Sequence, residues 1–224
     1  MNHKVFFDHV RAPLFGGALS RSQVEGCEAL LAAVAGWDLR WQAYALATAY
    51  GETARTMRPI AEYGRGRGRR YGRPGRHGGQ VAYGRGYVQL TWDANYEKAD
   101  RELGLDGALI ADFDLALRPD IAARILRRGM EEGWFTGRKL GDYFTPDKSD
   151  WKHARRIINR LDRAARYASW AQTFHRALEA AGVAADPVAP RQTPATDRSR
   201  GRGWLARLLT PLLSLLLNLL RRQS

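Results

Sequence analysis

The sequence predicts a mainly α-helical domain, split by a long Arg/Gly-rich loop and followed by a linker and a hydrophobic tail helix. Three observations carry this. Apolar residues recur at helical spacing in segments bounded by capping residues. Residues 62–87 hold nine Gly and seven Arg, and glycine loses too much backbone entropy for such a stretch to form a helix or regular strand. No two strand-like runs are joined by hairpin turn chemistry.

Taken in order, Ser20 followed by Gln23 is a capping-box pattern that opens an Ala- and Leu-rich helix reaching about Ala35. Asp38 caps a second helix over 39–52, in which Trp41, Ala45, Leu46 and Ala49 share a face. The Arg/Gly loop follows, with a short extended run expected at 87–91. Asp93 caps a helix through Leu103, closed by Gly104. Pro119 suits the first turn of a helix ending near Glu132, with Gly133 beyond it. Residues 151–181 show long helical periodicity through Ile157, Leu161, Ala164, Ala168 and Phe174, with Gly182 just past the end.

Composition narrows the chemistry. The 224 residues contain 36 Lys plus Arg against 23 Asp plus Glu, a formal net charge of +13, which asks for an anionic partner. A 45% hydrophobic content excludes a wholly disordered chain. The lone Cys27 excludes a disulfide scaffold or a four-thiolate zinc site. The five His are scattered without ligand spacing, so neither metal nor cofactor is expected. Near the start, Lys4 is followed only by Val5, Phe6 and Phe7 before Asp8, far short of a secretory h-region.

The charge is concentrated. The seven Arg of 62–87 face one acid, Glu62, and residues 183–224 carry seven Arg against two Asp. Pro187, Pro190 and Pro194 mark an extended linker. The expected organisation is a domain over 1–182, a Pro/Arg-rich linker over 183–203 and a tail helix over 204–224. Residues 204–220 contain ten Leu and no acid. Arg207, Thr210, Ser214 and Asn218 form a narrow polar stripe, and Pro211 weakens a straight span of the roughly 20 residues a bilayer needs. The tail therefore reads as an interfacial amphipathic helix or a short span, with docking on the protein's own core as the bland alternative.

Glycoside hydrolysis generally uses two carboxyl groups, an acid for the leaving oxygen and a base or nucleophile across the sugar. Glu52 ends an apolar helix beside the Arg-rich loop, as a raised-pKa acid would. By position alone it reads first as a solvated helix-end acid. A longer pattern changes the weighting. Tyr83-Gly84-Arg85-Gly86-Tyr87-Val88-Gln89-Leu90-Thr91, continuing to Asn95-Tyr96, resembles the Y-G-R-G-x-x-Q-L-[ST] signature of glycoside hydrolase family 19, which holds chitinases and related endolysins. Ala45 to Thr53 resembles the helix bearing that family's His-Glu-Thr acid, and Arg156-Ile157-Ile158-Asn159 resembles its Ile-Ile-Asn segment. The three blocks span roughly residues 40–165 in family order. The short domain without disulfide cysteines is more similar to the phage and bacterial endolysin branch.

The resemblance implies a lysozyme-like, two-lobed helical fold with a cleft and an inverting mechanism. It implies that Glu52 is the general acid and that Thr91 helps hold the attacking water. Gln89, Asn95 and Asn159 would bond the sugar and its acetamido group, with Tyr83 on the floor. A turn with satisfied polar groups is the competing reading of Gln89 and Asn95. Two departures stand out. Gly51 replaces the family's His, removing a hydrogen-bonding neighbour of the acid. The second carboxylate is not marked, and Glu62 is the sole acid between residues 53 and 92, with an ion pair to a nearby Arg as its alternative.

The expected function is a peptidoglycan hydrolase of the endolysin or muramidase kind. The expectation also includes synthesis in the cytoplasm without a cleavable signal, then membrane attachment through the tail or release to the wall by a holin-like partner. A chitinase is the second reading. A nucleic-acid binder using Tyr63, Tyr71, Tyr83 and the arginines of 64–70 is the third, and ranks below a simple solvated basic loop. No nucleic acid is therefore expected as a partner.

Overall fold

A computed structural model describes residues 1–184 of the chain. The proposed linker and tail helix lie outside these residues. Among the described residues, no helix is long and apolar enough to cross a membrane.

The domain is built on α3 (Leu39–Glu52), in which every residue from Gln42 to Tyr50 is buried. A helix that is apolar on all sides belongs inside a protein, and small Ala residues let neighbours approach closely. Asp38 caps α3 as expected, accepting from the Arg40 N–H at 2.8 Å. Helix α7 (Ala164–Ala180) packs along α3, and α1 (His3–Phe15) packs on α7. Phe6 of α1, Tyr50 of α3 and Phe174 and Trp170 of α7 form one aromatic cluster, with ring centroids 5.0–6.3 Å apart. Helices α2 (Arg21–Ala33) and α6 (Pro119–Glu132) also pack on α3 and on each other. The Ser20–Gln23 capping box opens α2, and α6 has Pro119 in its first turn and left-handed Gly133 at its end.

Between α3 and α4 (Asp93–Leu103) runs the Arg/Gly loop. Its ends are clamped by β1 (Ile60–Ala61) pairing antiparallel with β2 (Arg85–Gly86). The loop closes on itself: a Cβ on Gly72 would come within 3.0 Å of Gly66 Cα and closer still to its carbonyl, so only glycine allows the crossing. A short α5 (Ala108–Ala111) and a 3-10 turn over Phe113–Leu117 carry the chain to α6.

Several elements differ from expectation. The run 87–91 is not extended: Tyr87 to Gln89 form a turn that bridges Arg85 to Leu90, with Gln89 at φ 54°. Two strand pairs form where none stood out. The second, β3 (Phe144–Thr145) with β4 (Lys148–Ser149), turns through Pro146 and Asp147. The α4 cap position is Trp92, at φ 73°, and Asp93 lies inside the first turn. Helix α1 was not expected, although Asn2 caps it by accepting from the Val5 N–H at 3.2 Å and left-handed Gly16 ends it. Residues 151–181 are not one helix but a 3-10 turn over His153–Ile157, an irregular stretch, then α7. The break is pinned by Arg155, whose Nε donates to the Asp162 carbonyl at 3.1 Å. Leu161, expected on the apolar face, is 41% exposed in that stretch.

The arginines of 62–87 also divide. Arg85 is 5% exposed and bonds Asp114 at 2.7 Å, the Val81 and Tyr83 carbonyls and the Tyr96 hydroxyl, so it ties the loop to the core. Arg76 pairs with Glu97 at 2.6 Å. Arg65, Arg67, Arg69, Arg70 and Arg73 are exposed with no acidic partner among the described residues.

Candidate active site

Glu52 is the last residue of α3, where the buried helix reaches the surface. A carboxylate there faces the negative end of the helix dipole. Two donors from a distant part of the chain offset this. Arg155 Nη1 donates to Glu52 Oε1 at 2.7 Å, and the Tyr167 hydroxyl donates to the same oxygen at 2.9 Å. The side chains of Arg155 and Glu52 are 4% and 16% exposed. The Arg155 guanidinium also lies over the Tyr167 ring, 3.8 Å from its centroid. Burial first, and the Glu52 charge second, push the Tyr167 phenol well above the ordinary tyrosine value, so it stays a donor. Thr53 then ends the helix. Its hydroxyl donates to the Ala49 carbonyl at 2.7 Å and accepts from the Met57 N–H at 3.1 Å.

Glu62 follows β1 directly, and its N–H donates to the Gly84 carbonyl at 2.7 Å. Its carboxylate takes neutral donors, the Tyr71 hydroxyl at 3.1 Å and the Gly84 N–H at 3.3 Å. The anticipated alternative of an ion pair with a loop arginine does not form. Burial first, then the bond to Glu62, raise the Tyr71 phenol above its usual range. The Tyr71 ring meets Trp92 edge to face at 5.5 Å, and Trp92 is 46% exposed beside Thr91.

The remaining expected residues separate by what they have left to offer. Gln89 spends both amide hydrogens on backbone, donating to the Ile60 and Gly86 carbonyls at 3.1 and 3.2 Å. It locks β1 to the turn, which is the satisfied-turn alternative. Asn95 donates one hydrogen to the Thr91 carbonyl at 2.8 Å and keeps its own carbonyl oxygen unengaged among the described residues. Thr91 is half-buried, and its hydroxyl meets no protein partner among the described residues. Tyr83 is 9% exposed, with the Arg85 guanidinium 3.6 Å from its ring centroid. Asn159 is exposed and accepts from the Arg160 N–H at 2.8 Å. Its backbone N–H bonds the Arg155 carbonyl at 3.0 Å, which joins it to the Glu52 group.

Two clusters result: Glu52 with Arg155, Tyr167 and Asn159, and Glu62 with Tyr71, Gln89, Thr91, Trp92 and Asn95. Residues 53–59 connect them through a turn with Ala54, Arg55 and Met57 at positive φ. No hydrogen bond or ion pair joins the two carboxylates among the described residues. Sequence reasoning missed Arg155 and Tyr167. Arg155 stands one position before the Arg156-to-Asn159 block, and Tyr167 lies on an apolar stripe that reads as core.

Comparison with solved structures supplies the fold's relatives. Chitinase C from Streptomyces griseus HUT6037 superposes with a TM-score of 0.51, covering 83% of this chain and 78% of that one at 21% identity. The fold is that of the family 19 chitinases. A bacterial family 19 chitinase, described as differing from the plant enzymes, aligns over 81% of this chain and 95% of that one, at 21% identity and a TM-score of 0.43. No protein-family model and no curated protein sequence matches this chain.

Proposed function

We propose that the chain is a glycoside hydrolase that cleaves β-1,4 bonds between N-acetylated amino sugars with inversion, acting on peptidoglycan. The observation that carries this is the pair of carboxyl groups in contrasting settings. Glu52 is nearly buried, with one oxygen committed to Arg155 and Tyr167, which leaves Oε2 to carry a proton toward a leaving oxygen. Glu62 is half-buried among neutral donors, free to accept a proton from water. Separation of the two roles by environment is the usual basis of acid/base pairing, and an inverting pair leaves about 6.5–9.5 Å for the water.

In this reading Glu52 protonates the glycosidic oxygen as the C–O bond breaks. Glu62 takes a proton from a water that attacks the anomeric carbon on the opposite face, and the Thr91 hydroxyl orients that water. Asn95 and Asn159 retain the amide groups able to bond an acetamido substituent. Peptidoglycan is preferred because the five exposed arginines suit an anionic wall polymer. Chitin is the second reading, favoured by the chitinase name of the superposed relative. Attachment to a membrane through 204–220, and export with a holin-like partner, are part of the same proposal.

The test is hydrolysis of purified peptidoglycan and of chitin oligomers by the wild type, Glu52→Gln and Glu62→Gln. Each variant should lose about 10²–10⁴ in rate while staying folded, with products from peptidoglycan in the wild type. Equal rates in wild type and Glu52→Gln would remove Glu52 from its role. Faster turnover of chitin would move the substrate to the second reading. Deletion of 203–224 should move the protein to the soluble fraction with hydrolysis intact.

A further inference from the structure

Gly51 precedes the proposed acid and has no side chain, so the groups that hold Glu52 must come from elsewhere. The space beside it is occupied. A Cβ on Gly51 would stand 2.5 and 2.6 Å from the Tyr167 ring carbons Cζ and Cε1, and closer still to the hydroxyl. The ring is 4% exposed, is covered by Arg155 at 3.8 Å, and packs on Trp170 at 5.1 Å, so it has no ready path away. Tyr167 therefore reaches Glu52 only because residue 51 is glycine.

We propose that Tyr167 is the positioning residue of Glu52: its phenol, admitted by Gly51, directs the catalytic proton onto the Oε2 atom. The inference rests on the acid role of Glu52 given above. An oxygen that already accepts from both Arg155 and Tyr167 has its lone pairs engaged, so protonation goes to the other oxygen. After transfer to the leaving group, the same two donors stabilise the carboxylate that forms. Arg155 supplies charge, and the phenol supplies direction, because a single O–H must point along the carboxylate lone pair. The ionisable groups around this pair are Arg155 from the 3-10 turn, Arg163 ahead of α7, and Tyr44 on α3.

Three variants test it: Tyr167→Phe, Gly51→Ala and the two combined. Tyr167→Phe keeps the ring and should lower kcat about tenfold to a hundredfold with KM within about twofold. The alkaline limb of the pH profile, which reports the acid, should move upward because a donor to the carboxylate is gone. Gly51→Ala sets a methyl where the phenol reaches Glu52, so that bond is lost by overpacking and kcat should fall at least as far, while the double variant should be no worse than Gly51→Ala alone. Wild-type kcat and an unmoved alkaline limb in Tyr167→Phe would overturn the proposal. Carbon-13 NMR titration of the Glu52 carboxyl reads the same bond without turnover. An upward midpoint in Tyr167→Phe supports it and an unchanged midpoint overturns it. A wild type inactive on both polymers would sink the hydrolase reading while this titration still decides the positioning.

Discussion

Replacing Arg155 with Met tests whether the buried ion pair holds this end of the molecule together. The methionine keeps most of the aliphatic length and loses three interactions. The bond to Glu52 at 2.7 Å is a hydrogen bond between charged groups, worth about 1.5–3 kcal/mol. The bond to the Asp162 carbonyl at 3.1 Å is worth about 1 kcal/mol. Stacking on Tyr167 at 3.8 Å adds about 1 kcal/mol. Breaking one side of a buried pair costs about 3–5 kcal/mol. With Glu52 still 16% exposed and Met packing in place of the stem, the expected net loss is about 3 kcal/mol. For a domain of this size that lowers Tm by roughly 6–12 °C. Calorimetry at neutral pH measures it, with Glu52→Gln and the double variant completing a cycle. The double variant should be less destabilised than the sum of the singles by about 1–2 kcal/mol, because it no longer buries an unpaired charge. A Tm within about 1 °C of wild type for Arg155→Met, or strict additivity, would refute the reasoning.

Two further outcomes follow from local geometry. Burial, the largest influence on Asp38, would raise its pKa, yet the bonds from the Arg40 side chain and N–H outweigh it and hold the carboxyl below its usual value. Its contribution is complete above the unfolded pKa of about 3.9 and disappears as pH falls through the lower folded value. Asp38→Asn should therefore lower stability at neutral pH and flatten its decline below about pH 4, read by urea unfolding at several pH values; parallel curves would count against it. Gly26 lies inside α2, where Ala would normally gain about 1 kcal/mol. Its added methyl would meet the Met57 carbonyl, with the carbonyl carbon 2.8 Å away. Gly26→Ala should instead cost about 1–3 kcal/mol, and a raised Tm would show that α2 and the turn after Thr53 separate easily.

Legibility followed the range of the interactions involved. The starts of α2, α3 and α6 could be read from Ser20 with Gln23, from Asp38 and from Pro119, because a cap acts within one helical turn. Their apolar faces could be read for the same reason. The Tyr83-to-Thr91 block pointed to the family 19 fold, since the glycines and Gln89 that make that turn are contiguous. What could not be read was the use made of individual charges. Arg85 sits in a run that looks uniformly solvated, and only its bonds to Asp114, Tyr96 and two carbonyls mark it as structural. Gln89 carries a side chain suited to a sugar, but its hydrogens are consumed by Ile60 and Gly86.

The sequence by itself determined where the helices begin, that a glycine-rich loop must interrupt them, and that Glu52 ends the central one. These follow from backbone propensity and caps, which depend on residues a few positions apart. Only the tertiary structure decided that residues 151–181 break at Arg155, and that Arg155 and Tyr167 converge on a carboxylate more than a hundred residues earlier. It also decided that Gly51 is the opening through which Tyr167 reaches Glu52. Such contacts depend on α7 packing against α3, and the space left beside a glycine exists only once that packing has formed.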